Sequence, residues 1–147
     1  MCLDFFIKKI FRKKLVMTQN INRILDANLN RAREGLRVIE EYYRFLQEDK
    51  SQSQAYKDLR HVITSIIKTY LNQEDLIQAR NVSRDVLATE YQDSEGRRDR
   101  AEDVLKANVQ RVKESLRVLE EYGKMINSDL GKAFQTLRFR IYELEKS

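Results

Sequence analysis

Along residues 20–47 the apolar positions Leu25, Leu29, Ala32, Leu36, Ile39, Tyr43 and Leu46 recur at alternating steps of four and three. That spacing puts them on one stripe of an α-helix and predicts a continuous buried seam. Thr18 or Asn20 is available to cap the first N–H groups, and the helix is expected to reach about Gln47. After the polar run "EDKSQSQ", the residues Ala55, Leu59, Val62, Ile63, Ile66, Ile67 and Tyr70 mark one side of a second helix over about 53–72. A third, over about 97–127, repeats the seam as Leu105, Val109, Val112, Leu116, Leu119 and Ile126. The run "NSDLG" then turns the chain into a fourth, carrying Phe134, Leu137, Ile141 and Leu144.

The helices are two half-copies. At an offset of eighty, residues 23–46 and 103–126 are identical at eleven of twenty-four positions, from Leu25 to Tyr42 in the first copy. Leu59-Arg60 with Ile63 is echoed by Leu137-Arg138 with Ile141. The repeat unit is a helix pair, which predicts an all-α helical bundle of two pseudo-repeated antiparallel pairs, about 20–71 and 97–146. Between them residues 72–99 form a long central loop with no copy in either half, read as a functional loop or as a plain crossover.

A core needs only the apolar letters, yet polar ones are kept as well. Ile24, Asn28, Arg31, Gly35, Val38, Tyr42 and Phe45 form a second stripe, with counterparts that include Asn108, Arg111 and Ser115. Gly35 and Ser115 are small enough to let a ligand or another backbone approach. A third stripe holds Asn30, Glu34, Arg37, Glu41 and Arg44, with Glu114, Arg117 and Glu121 as identical counterparts in the second copy. It reads either as a surface ladder, Glu34–Arg37 and Arg37–Glu41, or as an array that faces a ligand. Ladder pairs contribute only about 0.2–0.5 kcal/mol each and tolerate exchange for Lys or Asp, which sits poorly with identity in both halves. Guanidinium forks match phosphate oxygens, and carboxylates can hold Mg²⁺ directly or through water. The loop run "ARNVSRDV" adds Arg80, Arg84 and Asp85.

Composition supports the helical reading, with 35% charged residues, four Gly and neither Pro nor Trp. The net charge of +5 is concentrated at the start, where Lys8, Lys9, Arg12, Lys13 and Lys14 stand against Asp4. The remainder is nearly neutral, so nucleic acid is not expected as a partner. Residues 1–17 form a basic and apolar extension before a single domain over 18–147. The extension reads as a membrane-surface helix, as an extra helix packed on the domain, or as a segment upstream of a working start at Met17. One cysteine, Cys2, excludes internal disulfides and Cys-based metal sites and fits a cytoplasmic protein. With His61 the only histidine, and read as a helix residue rather than a catalytic base, Glu, Asp and Arg must carry any chemistry. No phosphate-binding glycine loop and no protein-kinase signature is present.

The runs "RILDANLNRAREGLRVIEEYYRF", "DLRHVI", "ARNVSRDV", "VLKANVQRVKESLRVLEEYGKMI" and "FQTLRFRIYELEK", in this order, resemble the helical domain found fused in front of bacterial thiamin phosphate synthase. The likeness spans about residues 20–146. It implies a hydroxymethylpyrimidine phosphate kinase that uses ATP and Mg²⁺, with thiamin phosphate synthase as a further expected partner. It also implies a chain that is stand-alone or excised from a fusion; a homodimer is a further expectation for so small a bundle. Carried over by residue, Arg37, Arg117, Glu34, Glu114 and Asp85 are expected to act in catalysis. Asn28, Arg31, Asn108, Arg111, Arg60, Arg80 and Arg138 are expected to bind substrate or ATP, and Glu41 and Glu121 the metal. Two positions depart from the family pattern: Asn81, where an acid often follows the arginine, and Leu87, where Gly often follows Asp-Val.

Overall fold

The structure is a computed structural model that describes residues 2–90 and 96–147; residues 91–95 of the central segment lie outside it. Five α-helices carry the fold: α1 (Cys2–Glu41), α2 (Lys50–Tyr70), α3 (Gln73–Ala79), α4 (Ala101–Gly123) and α5 (Ser128–Lys146). No strand occurs among the described residues, and the two helix pairs α1/α2 and α4/α5 are those the repeat predicts. The expected apolar seams meet in one core, with Leu25, Leu36, Ile39, Tyr56, Leu59, Ile63, Leu116, Leu119, Phe134 and Ile141 all essentially sealed from solvent.

Several boundaries differ from the pattern-based expectation, each for a local reason. No break occurs near Thr18: α1 begins at Cys2, because residues 2–20 contain no Pro or Gly to interrupt it. Residues 3–20 are exposed along their whole length, so this stretch does not pack on the domain. At its other end α1 passes into a π-helical turn, Tyr42–Leu46, and Glu48 takes a left-handed φ of 52° that is costly for a residue with a Cβ. The polar run after it is the first turn of α2 rather than a loop, since the Asp49 side chain accepts from the Gln52 N–H at 2.9 Å. The described part of the central segment contains α3, capped by Asn72, and a 3₁₀ turn, Val82–Arg84, capped by Asn81. No helix among the described residues is long and apolar enough to cross a membrane.

The main contact between the halves is that of α1 with α4. A Cβ on Gly35 would stand 2.7 Å from Val112 Cγ2 and 3.4 Å from the Asn108 carbonyl oxygen, so the glycine admits a backbone, not a ligand. Gly131 does the same for α5, where a Cβ would lie 3.0 Å from the Glu120 carbonyl. We expect Gly35→Ala to destabilise. Overpacking against a β-branched core residue costs about 1–3 kcal/mol, and the gain of about 1 kcal/mol in helix propensity offsets only part of it. A urea midpoint at or above wild type would show that Val112 moves aside freely.

Tyr56 lies under this framework, stacked on Tyr43 with ring centroids 5.5 Å apart and planes 8° from parallel. Burial, reinforced by Tyr43 and Glu145, pushes its phenol well above the usual value of 10. Its contribution to stability is therefore complete below pH 10, the unfolded value, and is lost as the pH rises further, because only the unfolded chain ionises readily. Melting temperatures should fall above pH 10, and Tyr56→Phe should flatten that slope; an unchanged slope would locate the alkaline sensitivity elsewhere.

Candidate functional site

Most of the repeated arginines converge on two buried carboxylates. Glu40 and Glu120 are 2% and 1% exposed. Across the first pair, Arg60 Nη2 donates to Glu40 Oε2 at 3.0 Å; across the second, Arg138 Nη2 lies 2.8 Å from Glu120 Oε2. From one turn earlier on the same helix, Arg37 Nη1 reaches Glu40 Oε1 at 3.4 Å and Arg117 Nη1 reaches Glu120 Oε1 at 3.2 Å. Each outer guanidinium also meets the next carboxylate, Arg37 with Glu41 at 2.9 Å and Arg117 with Glu121 at 3.1 Å. The same four-residue construction is thus built twice.

This arrangement accounts for the kept letters. A carboxylate removed from water needs partners of fixed geometry, and breaking its pair with the buried guanidinium costs about 3–5 kcal/mol, far more than a surface pair contributes. Of the expected ladder, Arg37–Glu41 forms, while Arg37 turns from Glu34 to Glu40. Glu40 and Glu120 were not singled out from the sequence, although their identity in both copies was the signal. Lys124 hydrogen-bonds Glu121 at 2.9 Å and, with Arg117 beside it, holds that carboxyl below the usual range.

Glu41 and Glu121 are thereby engaged by cations. Among the described residues no group of three His, Cys, Asp or Glu is placed to hold a metal ion.

A second constellation lies at the first half of α1, where the central segment is pinned. Arg80 forms a two-pronged pair with the buried Asp26, at 2.7 Å and 2.8 Å, and Arg23 Nη2 donates to the Asn81 carbonyl at 2.8 Å. Asn81 in turn accepts from the Arg84 N–H at 3.2 Å and the Ser83 hydroxyl at 2.8 Å, work that an acidic residue would do equally well. The turn so held presents Asp85 to a groove of about 330 Å³ that Asn20, Arg23, Asn28 and Arg31 also line. Arg31 is exposed and has no carboxylate partner among the described residues. Three of the expected site residues, Asn28, Arg31 and Asp85, thus come together here.

The others are placed elsewhere. Asn108 donates its amide to the Val104 carbonyl at 2.9 Å, as Asn28 does to Ile24, and its backbone abuts Gly35. Arg111, Glu34 and Glu114 are exposed, Glu114 accepting from Gln110, and His61 is exposed on α2. Asp26 and Arg23, which fix the loop, lacked a signal because their repeat counterparts are Lys106 and Asp103.

Comparison with known proteins adds the following. The sequence profile of the ThiD2 family matches residues 23–147. The chain is 44% identical over 129 residues to a thiamine-phosphate synthase of Thermosynechococcus vestitus, covering 88% of this chain and 35% of that protein. It is 44% identical over 125 residues to the thiamine-phosphate synthase of a Synechocystis species, covering 85% and 35%. A thiamine-phosphate synthase of Rhodopirellula baltica is 36% identical over 125 residues, covering 85% and 33%. The chain therefore spans about a third of the length of the curated relatives it matches. No solved structure matches it significantly.

The buried clusters should behave as structure. Glu120→Gln should lower stability by about 3–5 kcal/mol, because Arg138 loses its counter-charge, while Arg117→Ala, at the exposed edge, should cost under about 1 kcal/mol. Urea denaturation of both variants distinguishes this from the reverse order, which would make Arg117 the structural partner.

Proposed function

The chain belongs to the ThiD2 family, and from that premise we propose that it transfers the γ-phosphoryl group of ATP to hydroxymethylpyrimidine phosphate, giving the diphosphate. Its kinship with thiamine-phosphate synthases makes it a thiamin-biosynthesis domain. The observation that carries the finer reading is the groove in which Asn28, the unpaired Arg31 and Asp85 meet.

The chemistry asks little that such a groove lacks. The acceptor is a phosphate oxygen, already largely deprotonated at neutral pH with a second pKa of about 6. It attacks the γ-phosphorus, the bond to the bridging oxygen breaks, and that electron pair leaves on ADP. No proton has to be removed from the nucleophile, so a histidine base is unnecessary and an exposed His61 costs nothing. What remains is to bring two anions together and neutralise the charge between them, which is positioning and electrostatics. Arg31 and Arg23 supply cations at the groove. Asp85, on a turn braced by Arg80 and Asn81, would supply a carboxylate to the magnesium that ATP brings.

Incubation of the protein with Mg-ATP and hydroxymethylpyrimidine phosphate, read by mass, should show the diphosphate, and the unphosphorylated alcohol should not react. Arg31→Ala and Asp85→Asn should each lower kcat/KM by about a hundredfold without shifting the melting temperature, since both side chains are exposed. Absence of product under conditions in which a known kinase works would leave a non-catalytic binding module.

A further inference from the structure

On the other flank of α1, across the Asp26–Arg80 pair from the groove, α1, α2 and α3 enclose a smaller pocket of about 130 Å³. Its floor is apolar, formed by Leu29, Ile67 and Leu76, which belong to the core. Its rim carries the amides of Asn30 and Gln73, the Thr64 hydroxyl, the Asp26–Arg80 pair and two further cations, Arg33 and Lys68. Neither cation has a carboxylate partner among the described residues.

The internal repeat shows that this is a departure from the default. The counterpart of Arg33 in the second half is Lys113, which is neutralised by Glu145 at 2.8 Å. At the offset that relates Arg60 to Arg138, the position matching Glu145 is Ile67. One change, from an acid to Ile, therefore both releases the cation and lays down an apolar wall beside it. Helix α3, which closes the pocket, has no copy in the second half either. A fold that is otherwise duplicated has an unpaired cation, an apolar floor and amide groups in one half alone.

We propose that this pocket binds a single-ring nitrogen heterocycle bearing a phosphate, the ring on the Leu29–Ile67–Leu76 floor and the phosphate on Arg33 and Lys68. The volume is well below the roughly 300–1,000 Å³ of sites that take drug-sized ligands, which suits one ring and excludes a nucleotide. The Asn30 and Gln73 amides offer both donors and acceptors to ring nitrogens and an exocyclic amino group. Resting on the phosphotransfer reading, this assigns the pyrimidine phosphate to the small pocket and leaves the larger groove, with Arg31 and Asp85, to the nucleotide. The pinned turn from Arg80 to Asp85 borders both, Arg80 lining the small pocket and Asp85 the groove.

Calorimetric titration of the full chain with hydroxymethylpyrimidine phosphate, with no nucleotide present, tests it. Wild type should bind, and Arg33→Ala and Lys68→Ala should each weaken binding at least tenfold. Ile67→Glu, which restores the second half's acid, should abolish it; Arg33→Ala keeps the test valid if that buried substitution unfolds the chain. Affinity for a non-hydrolysable ATP analogue should stay within twofold in Arg33→Ala. Unchanged pyrimidine phosphate affinity in Arg33→Ala and Lys68→Ala, in a protein that still turns over, would overturn the pocket and leave the kinase standing. Inorganic phosphate binding as tightly as the pyrimidine phosphate would overturn recognition of the ring. Wild type showing neither binding nor turnover would overturn both readings.

Discussion

Two carboxylates that cannot reach water govern how this protein is put together. Glu40 and Glu120 sit where the helices of each pair cross, and each is tolerable there because one guanidinium arrives from its own helix and one from its partner. The demand is directional as well as electrostatic. It sets the rotation of α2 against α1 and of α5 against α4, and Gly131 lets α5 come near enough to the Glu120 backbone for Arg138 to reach. Apolar seams drive association without choosing among nearby registers; a buried ion pair with four bonding atoms accepts few. The same device stands in both helix pairs.

Against that symmetry, the places where the halves disagree acquire meaning. Asp26 faces Lys106 across the repeat, Arg33 faces Lys113, and Ile67 faces Glu145. Each difference lies beside the segment that is itself unrepeated, α3 and the turn after it. The turn is fixed to α1 from two sides, through Arg80 on Asp26 and Arg23 on the Asn81 carbonyl. The proposed reaction joins two unlike phosphorylated molecules and so requires two unlike sites, which a duplicated scaffold acquires only where duplication has been broken.

The reading of kept polar residues as ligand-facing was a reading of three kinds of residue at once. Arg37, Arg60, Arg117 and Arg138 are occupied by the protein's own carboxylates. Asn28, Arg31 and Asp85 do meet at a groove, and Asn108 is set against the glycine of the opposite helix. Identity within an internal repeat reports that a residue is constrained; it does not say whether the constraint comes from a ligand or from a buried partner.

What the chain determined by itself was therefore the local and the periodic: four runs of helix-compatible sequence, two seams of matching spacing, and the pairing of halves through the repeat. Helix formation and amphipathic burial depend on residues three and four apart, so a linear reading suffices for them. The tertiary structure alone decided which arginine answers which acid, that Asp26 anchors Arg80 fifty-four residues away, and that Arg33 is left without the acid its counterpart has. Those outcomes depend on distances between helices. A charge has no partner in the sequence; it acquires one only when packing brings the opposite charge within about 4 Å and takes the water away.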